Sequence, residues 1–123
     1  MPDFSVRSRE NLNTCECSLK QLFMEVIKEY DCTILEGHRD METQKQYFRD
    51  GKTKTLSSKH LYLPSKAVDV MPYPIDWENK EEHYKFAAYV FSVANRLGIK
   101  VRWGGHFKGF YDAPHWEVID DLD

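Results

Sequence analysis

The longest regular hydrophobic pattern in the chain predicts a helix over residues 80–97. Apolar side chains recur there at helical intervals, and Gly98 follows as a suitable helix end. The positions predicted to face the core are Tyr84, Ala87, Ala88, Phe91, Ala94 and Leu97. Such a helix has to bury its apolar face, and 123 residues are enough for one core. We therefore expect one domain spanning residues 1–123.

The remaining patterns predict two more helices and four short strands. Ser18 is a suitable cap for a helix over residues 18–30. Asp40 and Gly51 are suited to bound another helix, over residues 41–49. Strands are predicted at residues 32–35, 67–71, 99–103 and 115–119, with loops at 51–64 and 104–114. This order of elements predicts an α+β domain with a small, mainly antiparallel sheet and helices packed on one side.

The charge balance argues against some classes of partner. The net charge is −3, whereas nucleic acids and anionic membranes are bound by a basic face. We therefore expect no nucleic-acid partner. No apolar run is long enough to span a bilayer, so we also expect no stable membrane association. The first residues lack the basic-then-apolar pattern of an export signal. We therefore expect the three cysteines, Cys15, Cys17 and Cys32, to be reduced thiols.

Two pairs of acids and histidines are candidates for metal chemistry. Asp112 and His115 stand near the C-terminus, and His60 and Asp69 lie upstream. A catalytic zinc ion takes three protein ligands and leaves the fourth position to water. His60, Asp69 and His115 can supply that set if adjacent strands bring them together. The alternative is a solvated loop histidine and a carboxylate that serves as a cap or ion-pair partner, since no compact zinc signature such as His-Glu-x-x-His is present.

Three charged residues can act beside such a metal. Asp112 can take a proton from water and return it to a leaving amine, although an Asp before Ala-Pro is also a common turn former. Arg39 follows a predicted strand end, where it can hold a substrate carboxylate, stabilise an oxyanion or form a surface ion pair. Glu117 lies two residues beyond His115 on the same strand face, where a carboxylate can hold the histidine ring.

Polar residues nearby are further candidates. Ser58 can bind substrate or shape the loop before the second strand. Gln44 can bind substrate, support Arg39 from the following helix, or be solvated. His106 follows two glycines near the predicted site and can also touch substrate. His83 stands in a charged helix start and is expected to be solvated.

Four separated segments are informative together because of their order. They are Ser-Lys-His at 58–60, Pro-Ser-Lys-Ala-Val-Asp-Val at 64–70, Trp-Gly-Gly at 103–105 and Asp-Ala-Pro-His-Trp-Glu at 112–117. This series resembles the zinc D-Ala-D-Ala carboxypeptidase and L-alanyl-D-glutamate endopeptidase family, which includes vancomycin-resistance dipeptidases and many bacteriophage endolysins. Gly-His-Arg at 37–39 followed by Gln44 resembles the arginine motif of that family. The similarity covers nearly the whole chain and implies a hedgehog/D-Ala-D-Ala metallopeptidase-like fold.

The resemblance also implies roles for individual residues. It makes His60, Asp69 and His115 the ligands of Zn²⁺. It makes Asp112 the general base, where cell-wall dipeptidases often have Glu. Arg39 becomes the group that stabilises the substrate carbonyl in the transition state.

Two departures from the family pattern stand out. Eight residues separate His60 from Asp69, whereas the vancomycin-type dipeptidases have six; the longer loop looks like a phage subtype. His106 stands where relatives commonly have Asp after the paired glycines, so substrate preference or pH dependence can differ.

The resemblance leaves hypotheses of different classes. The first is a phage endolysin that cuts peptidoglycan stem peptides between L-Ala and D-Glu. It would be a monomer made in the host cytoplasm that reaches the wall after a holin opens the membrane. A carboxypeptidase that removes terminal D-Ala is the enzymatic alternative. A non-catalytic zinc-binding domain and a metal-free interaction module are the others, and the presence of Asp112 and Arg39 favours an enzyme.

Overall fold

The computed structural model of the protein describes residues 2–119. Within that range the chain forms four α-helices, four strands and two 3₁₀ turns. The helices are α1 (Val6–Asn13), α2 (Cys17–Val26), α3 (Met41–Arg49) and α4 (Lys80–Leu97). The strands are β1 (Cys32–Glu36), β2 (Ala67–Pro72), β3 (Val101–Trp103) and β4 (His115–Val118), and the turns are Lys59–Leu61 and Gly104–His106. None of the described helices is long and apolar enough to cross a membrane.

The four strands form one antiparallel sheet in the order β1-β2-β4-β3. The central pair, β2 and β4, places Val68 opposite Trp116 and Asp69 opposite His115. The predicted α+β class with a small antiparallel sheet is confirmed.

The two faces of the sheet differ in chemistry because side chains alternate along each strand. One face carries the apolar residues that build the core with α2 and α4, among them Val68, Val70 and Trp116. The other face carries Asp69, His115 and Glu117 side by side. The alternation of side chains therefore places apolar groups in the core and polar groups together on the opposite face of the sheet.

Helix α4 has the predicted bounds, and Gly98 ends it with a left-handed φ of 73°. The predicted buried face was wrong in part, because Tyr84 and Ala88 are exposed whereas His83 is 3% exposed. The buried positions are His83, Phe86, Ala87, Val90, Val93 and Ala94. The helix can turn His83 inward because both ring nitrogens have partners there, the Tyr111 hydroxyl at 3.0 Å and the Asp76 carbonyl at 2.8 Å.

Helix α1 was not predicted, since its sequence is polar and its periodicity weak. Its role is to cover the open edge of β1. The Ser8 hydroxyl accepts a hydrogen bond from the Ile34 N–H at 3.0 Å, and the Asn11 amide donates to the Ile34 carbonyl at 2.9 Å. These polar side chains satisfy backbone groups that an edge strand would otherwise expose.

The helix predicted over residues 18–30 is α2, and it is shorter than predicted. It begins after Glu16 rather than at Ser18, and it ends at Val26. Beyond that point the chain turns, and the Tyr30 ring packs edge-on against Phe86 at 5.1 Å.

Thiol labelling tests this packing. Cys17 is exposed, whereas Cys15 and Cys32 are buried, and burial raises the pKa of each buried thiol to about 12. We expect a thiolate-specific reagent to modify one thiol per native chain and three after denaturation. Cys17→Ser should abolish the native reaction, and rapid labelling of a second thiol would contradict the described core.

Candidate active site

The polar face of the sheet forms the floor of an open groove of about 1250 Å³. One wall comes from the loop that follows α3, and the other comes from the segment between β3 and β4. His60, Asp69, Asp112 and His115 all line this groove, together with Arg39.

Three elements bring the candidate metal ligands together. His60 lies in the first 3₁₀ turn, while Asp69 and His115 are cross-strand partners on β2 and β4. Among the described residues these three form a set whose candidate ligand atoms all lie within 4.8 Å of one another. The structure thus juxtaposes the three residues that the sequence analysis singled out.

The hydrogen bonds of His60 fix which of its nitrogens faces Asp69. Its Nδ1 lies 2.7 Å from the Gly37 carbonyl, which can only accept, so Nδ1 carries the proton and donates. The Nε2 atom then points at Asp69 Oδ1, 3.0 Å away. A lone pair and a carboxylate at that distance need a shared cation, either a proton or a metal ion.

His115 shows the same arrangement with its nitrogens exchanged. Its Nε2 lies 2.8 Å from Glu117 Oε1, and the Glu117 carboxylate also lies 3.5 Å from Lys59 Nζ. The Nδ1 atom faces Asp69 Oδ1 at 3.6 Å. A carboxylate that holds the outer nitrogen of a histidine is the usual support of a metal ligand.

The electrostatics of the set favour a negative carboxylate between two imidazoles. Burial alone would raise the pKa of Asp69, but hydrogen bonds to His115 and His60 outweigh it and hold the pKa well below its usual range. Burial alone would lower the pKa of His115, but hydrogen bonds to Asp69 and Glu117 raise it to about 9. The site is thus built to keep positive charge next to Asp69.

This donor set fits a zinc ion. Two imidazole nitrogens and a carboxylate oxygen are typical ligands, and bonds of about 2.1 Å in a tetrahedron separate neighbouring donors by about 3.4 Å. The observed 3.0 and 3.6 Å separations lie on either side of that distance. A metal at this point would be open to the groove on its remaining side.

Asp112 lies beside the set on the turn that leads into β4. Its Oδ2 is 4.0 Å from His115 Nδ1. Burial, and then the negative charge of Asp69, raise the pKa of its carboxyl. Gly104 permits this approach, because a Cβ there would overlap the Asp112 carbonyl and touch the Cβ atoms of Asp112 and His115.

Arg39 is held over the other side of Asp69 by a rigid set of partners. Its Nη1 donates to Gln44 Oε1 at 2.7 Å, and its Nε and Nη2 donate to Glu36 Oε1. Its Nη2 lies 3.7 Å from Asp69 Oδ2, and its guanidinium stacks on the Tyr47 ring at 4.7 Å. An arginine fixed in this way is preorganised to donate to an oxygen in the groove.

Two of the predicted substrate contacts lie elsewhere. Gln44 is fully buried below the groove, where its amide donates to the Thr55 carbonyl at 2.7 Å while its oxygen supports Arg39. His106 is not part of the groove lining; its ring stacks on Phe91 at 5.7 Å and packs edge-on against Trp103 at 5.0 Å. Its position after the glycines therefore does not bring it to the site.

Ser58 does lie in the groove lining, and its hydroxyl accepts from the His60 N–H at 3.2 Å. The sequence analysis missed Glu36 and Tyr47, which hold Arg39. The spacing carried a signal for Glu36, since it precedes the arginine by three residues. The role of Tyr47 could not be predicted from the sequence, because its contact with Arg39 depends on how α3 packs.

Comparisons with known proteins identify the family of the chain. The family model of the phage L-alanyl-D-glutamate peptidases matches residues 2–119. The L-alanyl-D-glutamate peptidase of Escherichia phage T5 is 26% identical over 133 aligned positions, covering 94% of this chain and 97% of the relative. The crystal structure of the Serratia marcescens L-Ala D-Glu endopeptidase ChiX superimposes with a TM-score of 0.82 at 31% identity, covering 96% of this chain and 91% of that one. The chain belongs to the phage L-alanyl-D-glutamate peptidase family.

Zinc-dependent thermal stabilisation tests His60 as a candidate metal ligand without any assay of activity. A metal that binds only the folded state raises Tm, and a concentration 100-fold above Kd adds about 2.7 kcal/mol. We expect zinc to raise the Tm of the chelator-treated protein by on the order of 5–10 °C. His60→Ala should lose this shift, whatever its own starting Tm. His106→Ala is the matched control and should keep it; an undiminished shift in His60→Ala would remove His60 from the ligand set.

Proposed function

We propose that this member of the phage L-alanyl-D-glutamate peptidase family is a zinc-dependent peptidoglycan endopeptidase that hydrolyses the stem-peptide amide between L-Ala and D-Glu. The observation that carries the proposal is the convergence of His60, Asp69 and His115 beside Asp112 in an open groove. The family match and the names of the relatives support this choice of bond.

The same proposal covers the biological setting. Residues 1–123 would act as one zinc peptidase domain and as a monomer. The protein would be made in the host cytoplasm and act on the cell wall after holin-type release, as expected for an endolysin.

His60 Nε2, Asp69 and His115 Nδ1 would hold the zinc ion. When bound, zinc supplies a Lewis acid that polarises a carbonyl and lowers the pKa of water to about 7. The protein's contribution is to fix the donors. Gly37 and Glu117 hold the outer nitrogens of the two histidines, so both rings keep their lone pairs aimed at one point.

Asp112 would move the proton. Its carboxylate takes a proton from the attacking water as the water oxygen bonds to the substrate carbonyl carbon. The same carboxyl then gives that proton to the amide nitrogen as the C–N bond breaks, which releases a carboxylate and an amine. The raised pKa of Asp112 favours the first of these transfers, because a carboxylate with a higher pKa takes up a proton from water more readily.

Arg39 would stabilise the oxygen of the carbonyl under attack. Glu36 and Gln44 accept from three of its five N–H groups, and the other two can donate to a substrate oxygen. Charge develops on that oxygen only in the transition state, so a donor held in place in advance lowers the barrier.

Mass spectrometry of digested peptidoglycan tests the proposed bond. We expect the purified protein to create new N-terminal D-Glu, and a chelator to suppress this product while added zinc restores it. Release of free D-Ala instead would replace the endopeptidase with the carboxypeptidase alternative. Equal product with and without chelator would contradict the zinc dependence.

Asp112→Asn tests the proton transfer. The amide cannot take up the proton, so kcat should fall by roughly 10²- to 10⁴-fold while the zinc content stays near one ion per chain. Asp50→Asn is the matched control, since Asp50 is exposed at the end of α3, and its turnover should stay at the wild-type level. If Asp112→Asn kept wild-type turnover, another group would have to be the base.

A further inference from the structure

Lysines line the groove on the loop that follows α3 and on the segment that leads to Asp112. Lys52, Lys54 and Lys108 line the groove, and within residues 2–119 none of them has a carboxylate within ion-pair distance. Lys59, by comparison, lies 3.5 Å from Glu117. Among residues 2–119, the groove thus holds positive charge without a carboxylate partner, although the net charge of the chain is −3.

The Lys54 side chain reaches from the loop after α3 to the opposite wall of the groove. Its Nζ donates to the Gly109 carbonyl at 2.8 Å and lies 5.4 Å from the centre of the Phe110 ring. Both of these residues belong to the segment that leads to Asp112. The Lys54 ammonium is therefore positioned next to the wall that carries the proposed base.

Lys52 lies near the opposite wall. Its Nζ is 5.4 Å from the centre of the Tyr47 ring, the same ring on which the Arg39 guanidinium stacks at 4.7 Å. Arg39 is in turn 3.7 Å from Asp69. Lys52 and Arg39 thus lie against the same aromatic ring, so Lys52 is close to a residue proposed to act in hydrolysis.

The chemistry of the proposed substrate calls for a cation at such a place. A glutamyl residue has two carboxyl groups, and the peptide chain continues through only one of them. The other remains as a free carboxylate on the residue directly after the scissile amide. The two N–H groups that Glu36 and Gln44 leave free on Arg39 are assigned to the carbonyl oxygen under attack, so the two lysines are the better-suited partners for this anion.

We infer that Lys52 and Lys54 bind the free carboxylate of the D-glutamyl residue and so select stem peptides in which that carboxylate is not amidated. This inference rests on the proposed function, since it takes the glutamyl residue to lie beside the scissile bond. It adds a substrate-binding role to the loop that follows α3.

Two synthetic stem peptides test the inference. They differ in one group only, a free carboxylate or a neutral carboxamide on the glutamyl residue. We expect the zinc-loaded wild-type protein to cleave the carboxylate peptide with a kcat/KM about three- to tenfold higher. The ratio should shrink as salt is added, because exposed charge pairs are screened.

Lysine variants assign the preference to these residues. The double variant Lys52→Met/Lys54→Met should bring the ratio to about one, mainly through loss on the carboxylate peptide. Lys52→Arg/Lys54→Arg should retain a preference, and Lys52→Glu should reverse it. Lys45→Met removes an exposed lysine of α3 that is not part of the groove lining, and its ratio should match the wild type.

The outcomes separate this inference from the proposed function. Equal cleavage of both peptides by the wild type overturns the inference and leaves the endopeptidase intact. A full preference in the double Met variant, or equal slowing on both peptides, also overturns it. Cleavage of neither peptide between L-Ala and D-Glu overturns the proposed function and the inference with it.

Discussion

The pairing of β2 with β4 determines the geometry of the candidate site. In that ladder Asp69 and His115 are direct cross-strand partners, so a slip of one residue in either strand would turn that strand's side chain away from its partner and into the core. The same register places Val68 against Trp116 on the opposite face, where both are fully buried. The free energy of core packing therefore also fixes the separation of two candidate metal ligands.

The third candidate ligand depends on a different kind of support. His60 lies outside the sheet, and its position depends on the Gly37 carbonyl at the end of β1 and on the Ser58 hydroxyl. Gly37 has no room for a side chain, because a Cβ there would overlap Thr14 and the Asn11 carbonyl. The first helix and the turn after it thus contribute to the site although they supply none of its side chains.

Much of this arrangement could be predicted from the sequence, and the exceptions have physical causes. Helix α4 and the strand containing Asp69 follow from periodicity and from the flanking turn residues. The inward position of the His83 side chain could not be predicted. It depends on the hydroxyl of Tyr111 and the carbonyl of Asp76, which come close to the ring only in the folded chain. Helix α1 escaped prediction for a related reason, since it is held by polar bonds to an edge strand rather than by an apolar stripe.

The site shows the same division between local pattern and tertiary contact. Four residues follow one another along the chain in the order found in a known family, and the structure brings them together: His60, Asp69, Asp112 and His115. His106 was assigned to substrate from its neighbours in sequence, but the second 3₁₀ turn directs it toward Phe91.

Anomalous diffraction at the zinc absorption edge tests whether His60, Asp69 and His115 bind one metal ion. In crystals grown with zinc, we expect one strong peak about 2.0–2.2 Å from His60 Nε2, an Asp69 carboxylate oxygen and His115 Nδ1. A peak at any other set of residues, or ligation of His115 through Nε2, would contradict this ligand set.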